Sequence, residues 1–260
     1  MERLLILRLQ AQGVAAQARL NGFALAELGA AGGVQALAVH EFTLAGANRL
    51  ELVIEPAAPA PEPRLSEGPR FARAQLLLPR VGQAASDEQS RCLATLDWAV
   101  QDGEVYRAHA VVQQEVDIPV RFPRWRWQDA PPLPELGTLA APVLAFAQAQ
   151  ALALAQGDPE PWIAAARLRF EELAAAYQRR PADDLARWRA RVQLLHAQKA
   201  LRGPLPTAAT LRLRPTADGR LIECLSTAGG PLLQFNRPDG GRVSMPMRIA
   251  VVEGQLYVLR

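Results

Sequence analysis

The sequence predicts a two-domain protein: an all-β antiparallel sandwich followed by an α+β domain whose helices pack on a curved antiparallel sheet. Three observations predict it. Residues 3–127 alternate apolar and polar, residues 138–200 repeat at helical spacing, and residues 210–260 alternate again. Proline-rich breaks at 56–63 and 130–135 punctuate the chain, and the second coincides with the change of period. The 260 residues suffice for two domains of ordinary size, each with its own core. The expected division is a sandwich over 1–129, a linker over 130–137 and the α+β domain over 138–260.

Leu4, Ile6 and Leu9 open the first strand, and Val14, Ala16, Ala18 and Leu20 form the second. Asn21-Gly22 follows, a strong hairpin signal because both turn positions must tolerate positive φ. Residues 34–44 read as a longer strand, and Leu50, Leu52 and Ile54 as the next. After the proline-rich connector, strands are expected at 71–78, 92–100 and 105–120, with Asp102-Gly103 as a hairpin between the last two. That makes about eight strands, the number an antiparallel sandwich uses.

In the middle, helices are expected over 139–155, 159–178 and 182–201. Asp158 caps the second, and Pro159 sits in its first turn, where a missing N–H costs nothing. Trp162, Ala166, Phe170, Leu173 and Tyr177 share one face of that helix; Leu185, Trp188, Val192 and Leu195 share one face of the third. From 210 onward, turns at Asp218-Gly219, 238–241 and Glu253-Gly254 divide a meander.

Two resemblances attach to these patterns. Asn21, Gly22, Gly46, Asn48, Leu50 and Leu52 resemble the Asn-Gly hairpin and the later G-x-N-x-L turn of galactose-binding-domain-like sandwiches, accessory modules beside many glycosidases. The resemblance implies a sandwich with structural turn residues. Helices followed by a sheet whose last strand carries Gly254, Tyr257 and Arg260 resemble the NTF2-like (SnoaL-like) α+β cone, which implies a pocket. Trp162, Phe170, Tyr177 and Trp188 would line it. Here, however, all helices precede the sheet, whereas that family interleaves them.

Composition narrows the function. Half the residues are hydrophobic and 21% charged, which is globular rather than disordered. The formal charge is +3, and Arg, Asp and Glu are scattered through every segment, unlike the one-sided basic face of a nucleic-acid binder. All basic residues but Lys199 are arginine, in keeping with a GC-rich genome. The apolar stretch 139–155 is expected to fall short of the ~20 strongly apolar residues of a membrane span. No secretory signal is read, so the cytoplasm is the expected location. Cys92 and Cys224 read as free thiols, and neither has a partner at metal-binding spacing.

Reactive constellations are sparse. His40, His109 and His196 are dispersed, and only His40 has an adjacent carboxylate, Glu41. Glu171-Glu172 and Asp183-Asp184 are neighbours on helices and diverge by about 100°. No cofactor or metal is expected. The most suggestive stretch runs from Arg121 through Arg124, Trp125 and Arg126 to Trp127. If extended, it puts two tryptophans on one face and two arginines on the other. That face is either a stacking platform for a sugar or a last strand whose tryptophans cover the domain seam.

The favoured expectation is a non-enzymatic cytoplasmic protein that binds another protein. Residues 169–177 (Arg-Phe-Glu-Glu-Leu-Ala-Ala-Ala-Tyr) before a terminal meander are similar to bacterial proteins encoded near type VI secretion effectors. That similarity implies an immunity or accessory role toward a toxin or effector. The alternatives are a carbohydrate module using Trp125 and Trp127, or a small-molecule enzyme in the rear pocket. For the enzyme, the available polar residues are Glu223, Asp184 and His196.

Overall fold

The computed structural model describes residues 4–59, 61–80, 85, 89–118 and 122–260. It is rich in antiparallel sheet, with five α-helices among the described residues. The chain divides into two units, Met1–Arg124 and Trp125–Arg260.

The first unit holds β1 (Ile6–Gln12), β2 (Ala16–Leu20), β3 (Phe23–Leu28), β4 (Gly33–Ala38), β5 (Gly46–Ile54), β6 (Pro63–Leu65), β7 (Arg70–Pro79), β8 (Ser90–Val100), β9 (Val105–Arg107) and β10 (Val111–Ile118). Eight of these form two four-stranded sheets, ordered β4-β1-β7-β8 and β10-β5-β2-β3, while β6 and β9 pair as a separate ribbon. The core lies between the sheets. Leu7, Leu9, Ala74 and Leu76 come from one, and Ala18, Leu20, Leu50 and Leu52 from the other, all buried.

Asn21-Gly22 turns β2 into β3 with φ of 51° and 78°, the paired positive values of a type I′ turn. Asn21 is also an anchor. Its Nδ2 donates to the Phe42 carbonyl and to Asn48 Oδ1, both at 2.8 Å, and its Oδ1 accepts the Arg49 N–H. Asn48 Oδ1 accepts the Leu44 N–H at 2.7 Å, and its Nδ2 reaches the carbonyls of Leu44 and Gly46. The two asparagines thus satisfy each other and stitch three segments together.

Two expectations for this unit are corrected. The strand expected over 34–44 ends at Ala38, because His40–Phe42 close a 3₁₀ turn that Thr43 Oγ1 seals on the Val39 carbonyl. Asp102-Gly103 is not a hairpin: β8 pairs with β7 and β10 with β5, so the chain crosses between sheets there. The turn binds elsewhere instead, with Asp102 Oδ1 accepting the Gly68 N–H and the Gly103 N–H donating to Ser66.

The second unit holds α1 (Arg126–Asp129), α2 (Leu136–Ala155), α3 (Glu160–Ala165), α4 (Arg167–Ala176), α5 (Pro181–Ala197), β11 (Leu211–Thr216), β12 (Leu221–Ser226), β13 (Leu233–Asn236), β14 (Arg242–Met245), β15 (Arg248–Val252) and β16 (Gln255–Val258). One face of a sheet ordered β11-β12-β15-β16 contributes Ile222, Cys224, Ile249 and Val258 to a core completed by Leu139, Val143, Trp162 and Val192. The meander expected over 210–260 is interrupted. β12 pairs directly with β15, and β13–β14 form their own hairpin between them.

The helix expected over 159–178 is two helices. Ala166, at φ −106° and ψ 13°, leaves helical geometry between α3 and α4. The 130–137 segment is not a linker between units. It belongs to the second unit, where the Leu133 N–H donates to the Gly219 carbonyl and Arg220 Nη1 to the Ala130 carbonyl. By length and mean hydropathy (1.5), α2 does meet the requirement for a membrane span, contrary to expectation. A third of it is buried, and its Leu139, Val143, Ala147 and Leu154 pack into the core.

Candidate binding cleft in the second unit

A single carboxylate organises the start of this unit. Glu172 on α4 is buried and accepts the Arg126 N–H at the start of α1. Its Oε2 also takes Arg260 Nη1 at 2.5 Å, and the Arg260 guanidinium lies 5.6 Å from the Trp125 ring centre. Trp125 is fully buried, and its N–H is capped by Gln128 Oε1 at 2.8 Å. Three segments remote in sequence therefore meet on one acid.

This clamp frames a cavity of about 380 Å³. One wall is α1 and the residues after it, with Arg126, Asp129 and Pro131; the second is the α3–α4 junction, with Ala164, Arg167 and Leu168. The floor is the outer face of β15 and β16. Strand alternation sends Ile249, Val251, Leu256 and Val258 to the core and leaves Ala250, Val252 and Tyr257 facing the cavity. Ala250 and Leu259 are buried, while Arg126 and Arg167 are exposed. Neither guanidinium has an ion-pair partner among the described residues. The Tyr257 hydroxyl donates to Gln255 Oε1 at 2.6 Å.

The tryptophan–arginine stretch is therefore not a platform. Arg121 lies outside the described residues, and Arg124 ends the first unit. Trp125 and Trp127 are both buried, because residues 126–129 turn as a helix and the alternation of an extended strand is lost. Of the expected surface, Arg126 alone lines the cleft.

Of the expected pocket aromatics, Trp162 is core and Phe170 and Trp188 pack against it, while Tyr177 is half-buried outside that cluster. Trp162 stacks on Trp188 with ring centres 5.7 Å apart, and Phe170 tilts against Trp188 at 6.2 Å. Tyr177 lies under Arg179, whose guanidinium is 5.0 Å from the ring centre. None of the four lines the cleft.

The polar residues weighed for catalysis are engaged in separate places. Glu223 is buried between arginines directly opposite it on both neighbouring strands: Arg214 at 2.5 Å and Arg248 at 2.8 Å. Asp184 is shared by Arg179 and Arg187. His196 Nδ1 lies 3.1 Å from the Ala155 carbonyl, and its ring packs so closely on Gly157 that a Cβ there would sit 2.8 Å away. It borders a second, 320 Å³ cavity with Lys199 and Arg202. His40 Nε2 accepts the Leu5 N–H at 2.7 Å. Among the described residues, no three His, Cys, Asp or Glu are grouped to hold a metal ion.

Cys224 lies against the core, and burial, reinforced by neighbouring Glu223, pushes its thiol up to about 12. In the first unit Tyr106 donates to Glu55 at 2.6 Å. Burial raises its phenol above the usual value, and the Glu55 carboxylate adds to the shift. Neither group faces the cleft.

Arg167, Asp129 and Tyr257 escaped the sequence reading as cleft residues. The sequence reading assigns them to a helix, the end of the sandwich and a terminal strand, and contacts such as Glu172–Arg260 across 88 positions and Arg126 N–H to Glu172 draw those segments together. No family model, curated protein or solved structure matches this chain.

Proposed function

We propose that the chain is a non-catalytic protein-interaction protein of the bacterial cytoplasm, and that the cleft of its second unit is the recognition site. Its partner is a secreted effector or toxin of the type VI kind, which it neutralises or escorts. In this reading the front unit is an accessory sandwich of the galactose-binding-domain-like type. The rear unit is a variant of the NTF2-like cone with all helices ahead of the sheet. No cofactor is needed.

One observation carries the reading: two arginines with no ion-pair partner among the described residues stand over an apolar floor held in place by a buried ion pair. Arginine is enriched among the residues that dominate binding energy, above all where the surrounding shell is preorganised. Glu223 and Asp184, the acids weighed for catalysis, are each held between two arginines within the frame, which favours binding over turnover. Eight basic side chains of the second unit are likewise paired with acids, which favours a protein partner over nucleic acid.

The test is co-expression with the products of the neighbouring genes, followed by size-exclusion chromatography and a growth-rescue assay. An equimolar complex that suppresses toxicity or accompanies an effector is expected. Absence of any complex at micromolar concentrations overturns the proposal.

A further inference from the structure

We infer that the cleft receives the C-terminal residue of the partner protein, with its apolar side chain on the floor and its carboxylate held by Arg126 and Arg167. The inference deepens the protein-binding reading and rests on it. The cavity, about 380 Å³, is large enough for one bulky residue and too small for a folded surface.

The floor and the wall beside it offer hydrocarbon, from Ala250, Val252, Leu259 and Leu168, whereas the polar rim offers two guanidinium forks suited to a carboxylate. An internal acidic residue would place a charge on the rim but needs a second residue for the floor. A C-terminal Leu or Phe brings the apolar body and the anion on one residue.

The approach is also built. β16 is an edge of its sheet, and α3 and α4 lie beside it, so an extended chain ending in the cleft has a strand edge to follow. The Glu172 clamp fixes the walls before binding and lowers the ordering cost.

Fluorescence anisotropy with the full chain and labelled short peptides tests this. The peptides end in Leu, Phe or Asp, each as free acid and as C-terminal amide. The free acids ending in Leu or Phe should bind at least about tenfold more tightly than their amides. Arg126→Glu with Arg167→Glu should abolish that preference. Ala164→Trp, at an exposed lining position, should block binding by filling the cavity while leaving the circular dichroism spectrum and thermal midpoint unchanged.

Equal binding of acids and amides overturns the inference, as does unchanged peptide binding by the double variant. Displacement of the peptides by N-acetyl-leucine at equal concentration also overturns it, in favour of a small free carboxylate. If the full-length partner still binds the double variant with wild-type affinity, this site is wrong while the protein-binding reading stands. If no partner complex forms at all, that reading falls first.

Discussion

At the scale of single residues, side chains that invite a functional reading serve the frame. Trp125 is the clearest. Fully buried and stacked by Arg260, it should behave as a core residue, so Trp125→Ala is expected to cost about 3–5 kcal/mol in denaturant unfolding. A sugar-stacking role would instead leave stability intact and remove glycan binding. Glu223 is similar. Glu223→Ala removes the buried carboxylate that Arg214 and Arg248 share and is expected to cost about 3–5 kcal/mol, because a buried ion pair loses its acid. The thiols give a chemical check: exposed Cys92 should react rapidly with Ellman's reagent, and buried Cys224 only on unfolding. Since the Cys224 thiol is raised from 9.0 to about 12, its contribution to stability is complete below pH 9 and declines as pH climbs toward 12. Ionisation in the unfolded chain removes roughly 4 kcal/mol by the upper end, measurable by urea melts along the alkaline limb.

At the scale of elements, turns with one physical solution were legible and turns with two were not. Asn21-Gly22 and Glu253-Gly254 both occupy paired positive φ and both close two-residue hairpins. Asp102-Gly103 has the same chemistry, yet Asp102 and Gly103 themselves bond to Gly68 and Ser66, and sequence spacing cannot reveal that competition. Periodicity predicts one continuous helix over 159–178 because the step of three or four survives across Ala166, where the backbone alone departs. Trp125 and Trp127 misled for a related reason, since a spacing of two fits a strand and also the entry to a short helix. The asparagine pair supports an element-level prediction. Asn48→Ala leaves the Leu44 N–H and its carbonyl partners unmatched in a buried site, so thermal unfolding should register a loss of about 2 kcal/mol or more.

At the scale of the whole molecule, the boundary at Arg124/Trp125 makes a prediction that the proline break does not. The core of the second unit is built from its own residues, so a fragment of 125–260 should fold cooperatively, whereas one beginning at residue 138 should be markedly less stable. The shorter piece lacks Trp125, the Arg126 amide that Glu172 accepts, and the α1 wall of the cleft. The changes of period and the compact units both put the helices in the second part of the chain; the units divide at Arg124/Trp125, five residues ahead of the expected end of the sandwich, where Arg260 lies against Trp125. The central position of β12 bears on the dynamics of the second unit. Leu221, Ile222, Glu223, Cys224 and Leu225 are all buried, so this strand is screened on both faces as well as flanked by β11 and β15. Its amide protons should therefore be the last in that unit to exchange with deuterium, at rates set by global opening of the unit.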